Sequence, residues 1–114
     1  MLIITKIEEW IFMMTHEKVL EVFAEYLAQD GSYEVLDTRR GLLVVDWNSC
    51  HNEWVTSQLC PTPEKLLSVL RSSYEEYQGY RLTDGYKRDL TSQEQQDIKR
   101  MGAELAARCE GGGT

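Results

Sequence analysis

Cysteine, proline and long apolar runs are all scarce in this chain. Cys50, Cys60 and Cys109 are the only three cysteines in 114 residues. So odd and sparse a set excludes a disulfide-stapled scaffold and points to a reducing compartment, the cytoplasm. Two prolines, eight glycines and no low-complexity block besides Gly111 to Gly113 leave out collagen-like and mucin-like chains. The apolar opening from Met1 to Met14 is split by Lys6, Glu8 and Glu9. It is therefore expected neither as a signal peptide, which needs a continuous apolar stretch, nor as a membrane span, which needs about 20 apolar residues.

Excess positive charge is missing as well. Nineteen acidic residues face twelve Lys and Arg, a net charge of −7. Nucleic acid is a line of negative charge that proteins neutralise with Lys and Arg, so it is disfavoured as a partner. What is present is ordinary: 42% hydrophobic and 27% charged residues, enough for one modest core. We expect a single α+β domain over residues 1–110, with the attachment of residues 1–13 left open, and a disordered tail at 111–114.

The hydrophobic period changes along the chain. Val19, Leu20, Phe23, Tyr26 and Leu27 recur at helical spacing from His16 to Gln29, opposite Glu17, Glu21 and Glu25, with Thr15 as N-cap and Gly31 as stop. Ahead of them, Leu2 to Ile7 reads as a strand, or residues 7–14 extend the helix backwards. Tyr33 to Leu36 and Leu42 to Trp47 read as a hairpin around the turn Asp37 to Gly41, the second strand rich enough in Leu and Val to be buried on both faces. Trp54 to Leu59 alternates Trp54, Thr56 and Gln58 with Val55, Ser57 and Leu59, as a third strand would. Short connections make this an antiparallel meander with Leu42 to Trp47 in the middle. Thr62, Pro63 and Glu64 then open a helix carrying Leu66, Leu67, Leu70, Tyr74 and Tyr77. Thr91 with Glu94 forms a capping box before a last helix striped by Ile98, Met101, Leu105 and Cys109. The order (β)αβββαα, with strands segregated from helices, predicts three helices packed on one face of an antiparallel sheet.

Catalytic signals are weak. Cys50 and His51 are adjacent, with Asp46, Asn48, Asn52 and Glu53 nearby to orient a base, yet successive side chains in a strand or turn point apart. An ordinary turn cysteine is the simpler reading. Cys50, His51, Cys60 and Cys109 lack the paired-knuckle spacing of a structural zinc site. Glu8 with Glu9 and Glu75 with Glu76 are helix neighbours about 100° apart, and no glycine-rich loop precedes a helix. We therefore expect no catalytic residue, no metal site and no cofactor.

Binding signals come from rings and from arginines. Tyr74 and Tyr77 fit a core stripe, and Trp47 shares a strand face with Leu43 and Val45. Trp54 and Tyr80 are harder to bury, and exposed Trp beside Tyr is the composition of an interaction hot spot. Arg39 and Arg40 occupy the hairpin turn, while Arg81, Lys87 and Arg88 flank a later loop. Brought together they would hold an anion or an acidic segment; apart, they are solvated charges. The expectation is a non-enzymatic interaction module contacting an unidentified protein, or a second copy as a homodimer, through apolar and aromatic surface near the third strand and the N-terminal segment, with Trp47, Trp54, Tyr80, Arg39 and Arg40 as candidate binding residues. The first alternative is an acidic inhibitor that mimics a polyanion and blocks a nucleic-acid-binding protein, presenting Glu17, Glu21 and Glu25 in a row. The second is a cysteine-dependent enzyme built on Cys50 and His51.

Overall fold

Thr15 sets where the first helix begins. Its extended backbone and its hydroxyl, which accepts a hydrogen bond from the Lys18 N–H at 3.1 Å, cap helix α1, His16–Gln29, in a computed structural model that describes residues 14–110. The readings of a strand at Leu2 to Ile7, of a helix running back through residues 7–13 and of a tail at 111–114 lie outside those described residues. The helix ends at Gln29 as expected, with Asp30 as C-cap and Gly31 directly after it. Asp30 is buried; its carboxylate accepts the Tyr26 hydroxyl at 2.8 Å and the Ser32 N–H at 3.1 Å, so a side-chain bridge closes the helix and aims the chain into the sheet.

The sheet is an antiparallel meander of β1, Tyr33–Thr38, β2, Gly41–Asn48, and β3, Glu53–Cys60, in spatial order β1-β2-β3. The central place of β2 agrees with the sequence. The hairpin turn is tighter than Asp37 to Gly41: Thr38 pairs with Gly41, leaving Arg39 and Arg40 alone at the tip, and Gly41 takes φ +123°, a conformation open to glycine. One register feature is invisible in composition. Asp46 pairs with Thr56 but Trp47 pairs with Trp54, so Val55 is an extra residue, a β-bulge.

Helix α2, Pro63–Leu82, is capped by the Thr62 hydroxyl accepting from the Lys65 N–H, and passes through Gly79 without ending there. Helix α3, Ser92–Cys109, carries the reciprocal capping box of Thr91 and Glu94. The result is an α+β arrangement in the order αβββαα, with a three-stranded antiparallel sheet and three helices. Among the described residues no helix is long and apolar enough to cross a membrane.

The core lies between the helices and one sheet face. Val19 and Phe23 of α1, Leu66 and Leu70 of α2, Cys109 of α3 and Cys60 of β3 are fully or almost fully buried, with Val44 beside them. A buried Phe or Leu contributes roughly 1.5–3 kcal/mol of hydrophobic stabilisation, so this cluster fixes the helical layer. Tyr74 meets Phe23 and Tyr26 edge-to-face at 6.2 and 5.5 Å between ring centroids. His16 Nε2 lies 3.1 Å from the Cys60 carbonyl and ties the start of α1 to the end of β3.

Candidate functional site

Strand alternation gives the sheet two different faces. Tyr33, Val35, Leu42, Val44 and Cys60 point toward the helices and join or border the core. Their neighbours must point the other way. The outer face therefore carries a row of Leu36, Leu43 and Leu59, a row of Glu34, Val45 and Ser57, and the pair Trp47 and Trp54. The sequence predicts burial of β2 on both faces. Among the described residues only the helix side has a covering layer, and Val44 and Val45 are the fully buried pair, while Leu43 and Trp47 are half-buried.

The bulge decides where Trp54 sits. Simple alternation groups Trp54 with Thr56 and Gln58, on the helix side. The extra residue Val55 shifts the phase, so that Trp54 lies against Trp47 on the outer face, ring centroids 4.8 Å apart and planes at 73°. Around the buried Val45, Leu36, Trp54 and Leu59 keep 41%, 45% and 42% of their surface in water, and Val55 keeps 47%. Leu36, Trp54 and Leu59 together leave about 300 Å² exposed, the size of the largest apolar patch on many monomers and often a functional one. Burying that area would release about 7 kcal/mol of hydrophobic free energy before any ordering penalty.

The other candidate residues fall elsewhere. Arg39 and Arg40 lie at the turn beside the leucine row, whereas Arg81, Lys87 and Arg88 belong to the end of α2 and the loop after it, near the opposite end of the strands. The two basic groups do not meet. Arg88 is engaged by Glu94 at 2.8 and 2.9 Å and by the Leu82 carbonyl, and Arg81 lies 5.7 Å from the Tyr77 ring centre. Tyr80 is exposed on the helical side of the sheet and packs edge-to-face with Tyr86 at 5.7 Å. It borders a cavity of about 340 Å³ shared with Asp30, Tyr33, Asp46, Glu76 and Tyr77. Burial, and then the charges of Asp46, Glu76 and Asp30, push the Tyr33 hydroxyl up to about 12. Burial and the nearby Asp30 likewise raise Asp46.

Cys50 and His51 sit exposed in the β2–β3 turn, where both backbone N–H groups donate to Asn48 Oδ1, at 3.0 and 3.3 Å. That geometry is an Asx turn. Cys60 and Cys109 are buried, and burial raises both thiols. Among the described residues no group of three or more His, Cys, Asp and Glu side chains gathers as metal ligands. Glu17, Glu21 and Glu25 form an exposed row on α1.

Sequence reasoning missed Leu36, Leu43, Val45 and Leu59 as a surface. Their signal is the two-residue turn, because once Thr38 is set opposite Gly41 the leucines of β1 and β2 must face each other. Comparison of the chain with protein-family models, with curated proteins and with solved structures gives no match.

Proposed function

We propose that this chain is a non-enzymatic, cytoplasmic protein-interaction module that docks a polypeptide surface onto the outer face of its sheet. The single observation supporting this reading is the apolar face built by Leu36, Leu43, Val45, Trp47, Trp54 and Leu59, which no other described residue covers. Trp is the side chain most enriched at binding hot spots, and an edge-to-face Trp pair is already ordered, so little rotamer freedom remains to be lost on contact. Aliphatic neighbours around a half-buried Trp pair form the apolar centre that such interfaces need. Three unpaired cysteines agree with a reducing compartment.

Photoreactive amino acids placed at positions 36 and 59, and at Gln95 as an exposed control on α3, test the reading in the cells that make the protein. Adducts of one defined mass are expected from positions 36 and 59 and none from 95. Equal labelling from all three positions, or none from the face, would end it.

A further inference from the structure

We infer that the occupant of the outer sheet face is a second copy of this chain, packed sheet on sheet about a two-fold axis parallel to β2. This inference rests on the docking reading above and adds the identity of the partner.

Two sheets pack face to face about 10 Å apart with their strands nearly aligned. A two-fold axis in the plane between them has two natural directions. Parallel to the strands, it lays β2 on the partner's β2 and β1 on the partner's β3. Leu36 then faces the partner's Leu59, the two Leu43 side chains meet, and the two Trp47 rings meet. Glu34, the one charged side chain among these rows, faces the partner's Ser57, whose hydroxyl can donate to the carboxylate. Perpendicular to the strands, the axis maps the middle row onto itself, and Glu34 faces a second Glu34. Like charges held together in a drying interface are repelled, so charge selects the parallel axis.

Charge also narrows the kind of partner. The three rows contain neither Lys nor Arg, so an acidic peptide finds no countercharge on this face, and one carboxylate is too little to select a basic one. A surface of the same apolar kind answers it best, and the chain itself supplies one. Area is sufficient. With Glu34, Thr38, Ser57 and the half-buried Leu43 and Trp47 included, the face offers about 600 Å² per copy, or on the order of 1,200 Å² for the pair, at the lower end of the roughly 1,200–2,000 Å² of stable interfaces.

Sedimentation of the purified full chain is expected to give twice 13.2 kDa. The double variant Leu36→Ser with Leu59→Ser is expected to sediment at the monomer mass with its far-UV circular dichroism unchanged. Leu82→Ser, also exposed but on α2, should leave the dimer intact. In a Cys50→Ser background, a short bismaleimide should join subunits that carry Leu43→Cys, whose side chains meet about the parallel axis, and not those that carry Ser57→Cys, which keep Glu34. Efficient linkage by Ser57→Cys alone overturns the parallel axis. A dimer indifferent to the Leu36 and Leu59 changes overturns the interface, and a monomer persisting to about 1 mM overturns self-association altogether. If that monomer still gives photo-adducts of a foreign mass from positions 36 and 59, the docking reading stands and only the second copy falls. If it gives none, both fall.

Discussion

Replacing Gly102 by Ala exposes how closely α2 and α3 approach behind the sheet. Gly102 is buried on α3, and a methyl group there would overlap the carboxylate of Glu75 and come within 3.1 Å of Arg71 Nε. Those two groups form an i,i+4 ion pair on α2, Arg71 Nε donating to Glu75 Oε2 at 2.8 Å, while Arg71 Nη2 reaches the Lys99 carbonyl across the helix pair at 3.4 Å. Two effects of similar size oppose each other. Gly to Ala inside a helix is worth about 1 kcal/mol in favour of the variant. Displacing the carboxylate breaks a part-exposed pair worth about 0.3–0.5 kcal/mol and crowds the helix contact by a further amount of order 1 kcal/mol. Gly102→Ala alone should therefore lie within about 1 kcal/mol of neutral. In a Glu75→Ala background the obstructing carboxylate is gone, and the same substitution should stabilise by about 1 kcal/mol, raising Tm by roughly 4–8 °C for a domain of this size. Urea and thermal unfolding of the four proteins of this cycle, at one fixed protein concentration, measures the coupling. If Gly102→Ala destabilises as much without Glu75 as with it, the close neighbour is not the Glu75 carboxylate and the reasoning fails.

Three further outcomes follow from the titratable groups and thiols. Glu94 is held down to about 2 from 4.5, first by its bonds from Arg88 and then by the Thr91 N–H. Its contribution is complete above about pH 4.5 and is lost as pH falls toward 2, so the stability difference between wild type and Glu94→Gln, read from urea midpoints, should shrink across that window. Tyr33, pushed up to about 12 from 10.0, behaves with the opposite sign. The stability tied to its neutral form is whole below pH 10 and lost as pH rises toward 12, so Tyr33→Phe should resist alkaline unfolding better than wild type; equal midpoints at pH 11 would refute it. Cys50 is exposed while Cys60 and Cys109 are buried, so a thiol reagent should titrate one cysteine in the native protein and three in guanidinium.

Helices and caps were legible from the sequence because their signals are local. Thr15, Thr62 and Thr91 each cap the helix expected of them, and the stripes of Phe23, Leu66, Leu70, Ile98 and Cys109 point inward as their spacing requires. The order and central strand of the meander followed from loop length alone. The candidate site was legible only in part. Trp47 and Trp54, which composition marks as candidates, do come together, but Tyr80 lies on the helical side, and Arg39 and Arg40 lie at the far end of the strands from the Trp pair. Faces depend on register, and register depends on turn length and on bulges, which composition does not encode. Asp30 shows the same limit at α1: nothing in the composition marks the buried bridge it makes to Tyr26 and Ser32 beside Gly31.

The bulge at Val55 is the feature on which the proposed interface depends most, and it can be tested directly. Because Asp46 pairs with Thr56 and Trp47 with Trp54, deleting Val55 should join two stretches of ladder already in register. The deletion keeps Trp54 on the outer face against Trp47, loses only local twist, and should change stability by no more than about 1 kcal/mol. Two indole rings 4.8 Å apart at 73° couple strongly, so wild type and deletion variant should share an exciton signal in circular dichroism that Trp54→Phe abolishes. A regular strand makes a different forecast. Trp54 would then share the helix-facing side with Thr56, the signal would be missing from the wild type, and it would appear only once Val55 was removed. That second pattern would place Trp54 away from Trp47 and dissolve the aromatic end of the docking face.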